Sequence, residues 1–149
     1  YRRQTDRLGG VRIVMRVRLF EIIYVVTKLF LGPILRKYGK RTAVQKFMAI
    51  NEITLKKPLF GCQMCGQCAL HSSGMICPMG CPKNLRNGPC GGVRQDETCE
   101  IKPGMKCVWV RAWDNSQKMR RFSGDIFQVQ PALDRSLKGT SAWINEIGN

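Results

Sequence analysis

From Val14 to Leu31 apolar residues recur at helical spacing, with Leu19, Ile22, Ile23, Val26 and Phe30 on one stripe and Arg18, Glu21 and Lys28 on another. The pattern predicts a helix that stops at Gly32-Pro33, because proline cannot donate to the helical ladder. A second helix is predicted from Thr42, a suitable N-cap, to Leu55, with Val44, Phe47, Met48 and Ile50 as its apolar positions and Lys57-Pro58 as its stop. Between Gly61 and Cys107 neither helical nor strand periodicity is present. Eight glycines and four prolines punctuate that stretch, and it holds too little apolar material to pack unaided, so it reads as loops wrapped around something. Val108-Trp109-Val110 reads as a short strand, followed by a tail that Pro131 and Gly139 interrupt. No repeat of solenoid period is present.

The expected fold is a small α+β one. A basic amphipathic helical arm spans residues 1–57, a mostly irregular Cys-rich metal-cluster domain spans 58–113, and an irregular tail spans 114–149. The stripe from Leu19 to Phe30 is too apolar to leave exposed. It is expected to pack on a partner subunit or on the rear of the cluster domain, with an anionic membrane surface as the alternative.

Length narrows the function. A chain of 149 residues is too short for a (β/α)₈ barrel, which takes roughly 200 or more, and it has no G-x-G-x-x-G or Walker phosphate loop. A self-contained nucleotide or flavin enzyme is therefore not expected. The net charge of +15 is uneven: residues 1–61 carry 14 Lys/Arg against three acids, or +11, while 62–107 and 108–149 carry +2 each. Such an arm attracts an acidic protein face, anionic lipid or nucleic acid. Arg2, Arg3, Arg7, Arg12, Arg16 and Arg18 alternate with Val, Ile and Leu and accompany no nucleic-acid motif, so a docking helix is expected rather than nucleic-acid binding. The longest uncharged run in the arm, Leu29 to Leu35, has seven residues against the roughly 20 that span a bilayer, and no cleavable signal is visible. The chain reads as cytoplasmic, although it opens at Tyr1 and its true N-terminus stays open.

Eight cysteines carry the candidate chemistry: Cys62, Cys65, Cys68, Cys77, Cys81, Cys90, Cys99 and Cys107. The opening C-x₂-C-x₂-C is the first part of the bacterial ferredoxin run, whose tight turn lets three sulfurs converge on one face of a cube. A displaced counterpart of its C-x₃-C-P element follows at Cys77 to Pro82. Cys77 and Cys81 both precede proline; by the ferredoxin logic Cys62, Cys65 and Cys68 take Cys81 as the remote fourth ligand, or else Cys77, and the remaining one joins Cys90, Cys99 and Cys107. Two [4Fe–4S] clusters with four ligands each account for all eight. Disulfides would also explain an even count, but no secretory signal accompanies them. Structural zinc is the main alternative, with Cys62–Cys65 and Cys77–Cys81 as one tetrathiolate, though a third cysteine at x₂ spacing would then be surplus. His71, in a His-Ser-Ser-Gly loop, reads as a solvated residue rather than a ligand.

The stretch from Cys77 to Gly92, with its core C-P-K-x-L-x-N-G-P-C-G-G, then Cys99-Glu100 and Cys107-Val108-Trp109, is longer than a generic cluster motif. Over roughly Pro58 to Trp113 the chain resembles the C-terminal domain family of methylenetetrahydrofolate reductases, which includes separate small subunits of the MetV type. The resemblance implies a flavin-binding reductase subunit as partner in a hetero-oligomer, an upstream electron donor, and an iron–sulfur relay through the eight cysteines. It implies a subunit of an oxidoreductase that is not catalytic alone. The alternative is a zinc-stabilised scaffold subunit of the same type of complex. Asn87-Gly88-Pro89 reads as a turn presenting Cys90 rather than as a substrate loop. Trp109 and Trp113 read as partner contacts or as packing that excludes water from a cluster.

Overall fold

The computed structural model describes residues 7–88 and 90–147, with side chains from residue 14 onward. Four α-helices organise it: α1 (Arg7–Tyr38), α2 (Thr42–Phe60), α3 (Val108–Ser116) and α4 (Ala142–Ile147). Short 3₁₀ turns at His71–Ser73, Pro78–Gly80, Ser123–Phe127 and Arg135–Leu137 punctuate the loops. Among the described residues no strand forms; two isolated bridges, Val93 to Cys99 and Thr98 to Lys106, are the β pairing present. The α+β expectation is therefore wrong, and the architecture is helices with an irregular cysteine-rich segment between them.

The strand expected at Val108-Trp109-Val110 is the first turn of α3. Two valines around a tryptophan carry β propensity, but Val108, Trp109, Ala112 and Ser116 are buried, which is a helical stripe. Tertiary burial overrides the local preference. Both predicted stops also fail. Pro33 lies within α1 and Pro58 within the last turn of α2. Each proline is exposed, so water satisfies the carbonyl that loses its partner, while buried Leu35 keeps α1 on the core beyond Pro33. α2 ends instead at Gly61, which takes φ +64° and donates to Lys57 O at 2.9 Å as Cys62 N–H reaches Lys56 O at 3.4 Å.

The expected apolar stripe of α1 is not the buried one. Val17, Tyr24 and Leu35 enter the core with Leu70, Met75, Met119, Trp143 and Ile144, whereas Leu19, Ile22, Ile23, Val26 and Phe30 are exposed. The rear of the cluster segment does not receive them. Arg2, Arg3, Arg7 and Arg12 lie outside the residues whose side chains are described.

Two buried carboxylates bind the last third of the chain to the N-terminal helices. Glu21 on α1 accepts the backbone N–H groups of Arg120, Arg121 and Phe122 at 3.1, 2.5 and 3.2 Å. Glu52 on α2 accepts Trp143 N–H at 3.1 Å and the Ser141 hydroxyl, holding the start of α4. Tyr24 adds a ring contact to Trp143 at 5.1 Å and an edge contact to Phe122 at 5.8 Å. The residues that a pattern reading leaves as a tail are thus part of the core that backs the cysteines.

Candidate metal centre

The C-cap of α2 delivers the chain straight into Cys62. Positive φ angles at Met64 (50°) and Gly66 (76°) then coil the C-x₂-C-x₂-C segment. Met64 N–H points at Cys62 Sγ (3.4 Å), and the Cys65 thiol donates to Gln67 O (3.3 Å). The far end of the chain clamps this turn: Gly139 N–H donates to Met64 O at 2.8 Å, Asn145 Nδ2 to Gly66 O at 2.8 Å, and Asp134 N–H to Gln67 Oε1 at 2.8 Å. Gly66 tolerates no side chain, because a Cβ there would lie 2.2 Å from Leu137 O. Gly66→Ala is expected to cost about 2 kcal/mol or more. Gly104→Ala, at a similar φ of 75° with open space around it, should cost about 1 kcal/mol. Thermal melts of the two variants test the difference.

Cys62, Cys65, Cys68 and Cys77 line one cavity. Cys77 reaches it from the entry to the 3₁₀ turn Pro78–Gly80. That turn closes with Cys81 N–H on Pro78 O at 3.0 Å, and Cys81 lies outside the cavity. Of the two proline-adjacent cysteines, Cys77 is therefore the one beside the first three.

Glu52 and Lys56 line the same cavity. The pair is buried, with Lys56 Nζ 2.7 Å from Glu52 Oε2 and 5.1 Å from the Trp143 ring centre. Burial pushes the Cys68 thiol up to about 11, against the pull of the Lys56 ammonium. A hydrogen bond from Cys62 lowers the Cys77 thiol to about 7 and raises Cys62 correspondingly. Cys77 is thus readier than Cys62 or Cys68 to present a thiolate to a metal.

The other four cysteines do not line this cavity. Cys81, Cys99 and Cys107 are buried and Cys90 is half-buried. A cross-linked loop holds Cys99 and Cys107: Cys99 N–H donates to Met105 O at 2.9 Å and Cys107 N–H to Glu97 O at 2.8 Å. Cys107 then leads into α3. Gly92 N–H points at Cys90 Sγ at 3.4 Å, and Lys83, paired with Glu100, hydrogen-bonds Cys90 as well. Asn87 bonds Gln130 reciprocally, through Nδ2 to O at 2.9 Å and Oδ1 to N–H at 2.8 Å, which ties this loop to the C-terminal segment.

The fit to a metal group rests on donor chemistry. Four thiols share one cavity, and backbone N–H groups approach Cys62 and Cys90. Two buried donors, Arg86 Nε and Trp109 Nε1, have no hydrogen-bond partner. Arg86 reaches Gln67 O at 3.0 Å through Nη1, beside Cys68, and Trp109 packs with Cys107. Both side chains line a separate cavity that no cysteine lines, so the fit of a metal group rests on the four thiols of the first cavity. Among the described residues no group of three or more His, Cys, Asp or Glu side chains is arranged to hold a metal ion, and the cavity measures about 20 Å³.

Sequence reading missed Glu52, Lys56 and Glu21. The available signal was that Glu21 and Glu52 are the only acids between residues 7 and 61, with Lys56 one turn beyond Glu52. His71, expected to be solvated, stacks on Tyr24 and Phe122 and pairs with Asp125 at 3.0 Å. It lies away from the cysteine cavity, which it does not line.

Comparison with curated proteins and with solved structures returns no match. A family model described as methylene-tetrahydrofolate reductase C terminal matches residues 41–136, from the N-cap of α2 through every cysteine to the loop that covers Gly66. With nearly two thirds of its length matched, cysteine centre included, the chain belongs to the methylene-tetrahydrofolate reductase C-terminal family.

Proposed function

We propose that the chain is the iron–sulfur electron-transfer subunit of a methylenetetrahydrofolate reductase complex, relaying electrons from an upstream donor to a flavin-containing subunit. Family membership supports the association with that reductase. The observation that carries the relay is that Cys62, Cys65, Cys68 and Cys77 line one cavity, with four more cysteines following in the same segment of the chain.

In this reading Cys62, Cys65, Cys68 and Cys77 hold one [4Fe–4S] cluster, and Cys81, Cys90, Cys99 and Cys107 the other. When bound, such clusters supply one-electron storage and transfer. The protein's own residues set the environment. Leu70, Met75 and Trp143 keep water from the rear of the first site, and Lys56 supplies positive charge there. The chain has no flavin motif, so folate chemistry belongs to the partner. No described helix is long and apolar enough to cross a membrane.

One observation favours a second reading. A cavity of about 20 Å³ accommodates one water-sized sphere, as a tetrathiolate zinc site requires. In that case the chain is a scaffold that holds the reductase subunit.

A pair of rates separates the readings. Anaerobically purified complex should contain about eight irons and eight sulfides per chain. In Cys65→Ser and Cys99→Ser complexes, reduction driven by an artificial dye acting on the flavin should survive, while turnover from the native low-potential donor collapses. Zinc with negligible sulfide, or native-donor turnover that persists in an intact complex after cluster loss, would refute the relay.

A further inference from the structure

α1 is apolar on two opposite faces, and the core accounts for one of them. At 3.6 residues per turn, Val17, Tyr24 and Leu35 share the inward face, while Met15, Leu19, Ile22, Val26, Leu29 and Phe30 share the outward one. The outward residues are well exposed, reaching 70% for Leu29 and 67% for Phe30. A contiguous run of large apolar side chains along one helix face marks an interaction surface.

Charge identifies what fits it. Among the described residues from 14 to 61 the only carboxylates are Glu21 and Glu52, and both are buried and engaged by the C-terminal segment. The exposed surface of these helices therefore carries no anion among the described residues. The cations are not spread along the outward face. Lys28 turns away to pair with Glu146 at 2.6 Å, so no charge falls on that face between Arg18 and Arg36. This neutral stretch is about 27 Å long at 1.5 Å per residue. Arg16 and Arg18 stand at one end of it, and Arg36, Lys37, Lys40 and Arg41 at the other.

A neutral middle with cations at both ends is not the layout of a helix lying on a bilayer. Such a helix sets lysine and arginine along the face opposite its apolar one, and here the opposite face is packed into the core. A second copy of the chain is disfavoured as well, because either antiparallel or parallel pairing sets basic ends against basic ends. The matching surface is a protein groove, apolar along its floor and carrying carboxylates at both ends.

We propose that the outward face of α1 is the docking surface for the flavin-containing reductase subunit, which would supply that groove. This rests on the complex proposed above and adds the surface through which it forms. Cluster content and docking are then separable, since the outward face and the cysteine cavity draw on different residues.

The test is titration calorimetry of the full, metal-loaded chain against the purified reductase subunit. Ile22→Asp, an exposed position, should weaken binding about thirtyfold or more, as loss of an interface anchor does. Arg18→Glu with Arg36→Glu should also weaken it, and the effect of that pair should shrink at high salt. Metal content and the circular dichroism spectrum should stay as in the wild type. Wild-type affinity in both variants would overturn the docking surface and leave the relay standing. Absence of binding by the wild-type chain would overturn the surface and the reductase partnership together. Flotation of the wild type on phosphatidylserine vesicles, lost in Ile22→Asp, would assign the face to lipid and overturn the proposal.

Discussion

Cys77→Ser should lower the iron content from about eight to about four per chain and abolish one of two cluster EPR signals, leaving the other. Cys81→Ser should remove the complementary half. The expectation comes from packing rather than spacing, since both cysteines precede proline. Cys77 shares a cavity with Cys62, Cys65 and Cys68, and the 3₁₀ turn that follows carries Cys81 out of it. Metal analysis with EPR of the singly substituted proteins tests the partition. The same signal lost in Cys77→Ser and Cys81→Ser would show that the two residues serve one cluster.

Lys56→Met should destabilise the protein by about 3 kcal/mol or more, because it strands the buried Glu52 carboxylate without its cation. At this chain length that corresponds to a fall in Tm of roughly 10 °C. The loss should spread to α4, since Glu52 also holds Ser141 and Trp143 N–H. Glu52→Gln combined with Lys56→Met should recover part of it, because the double variant buries no unpaired charge. Thermal melts of the single and double variants measure the coupling, and additive losses would show that the two residues act independently. Loss of the Lys56 ammonium should also raise the Cys62 and Cys68 thiols further, so metal uptake by Lys56→Met should need higher pH. The sign follows from the cation: a nearby positive charge favours thiolate, and its removal favours thiol.

Local chemistry and global packing divide the legible from the illegible here. The helix start near Thr42 and the irregularity of the cysteine segment follow from residues close together in the chain, although Arg41 and not Thr42 is the N-cap and no side chain caps it. Glycine torsions and ligand spacing act over a few positions, so sequence carries them. The helix over Val108–Ser116 depends on burial of Trp109 and Ala112 against distant partners, and β propensity misled there. The exposed prolines of α1 and α2 mislead in the same way, since a proline on a wet face costs a helix less than one on a packed face.

By itself, the sequence determined that eight thiols crowd into one apolar-poor segment, that a basic helical region precedes it, and that the family motif runs through it. These are matters of composition and of short spacing. Tertiary structure alone decided that Cys77 rather than Cys81 stands beside the first three cysteines. It also decided which face of α1 is core, and that Glu21 and Glu52 fasten residues 120–143 behind the site. The reason is periodicity. A helix apolar on two sides offers two equivalent stripes, and only distant partners choose between them: here Glu21 finds the backbone N–H groups of residues 120–122, and that bond turns Val17 and Tyr24 inward and Leu19, Ile22, Ile23, Val26 and Phe30 out.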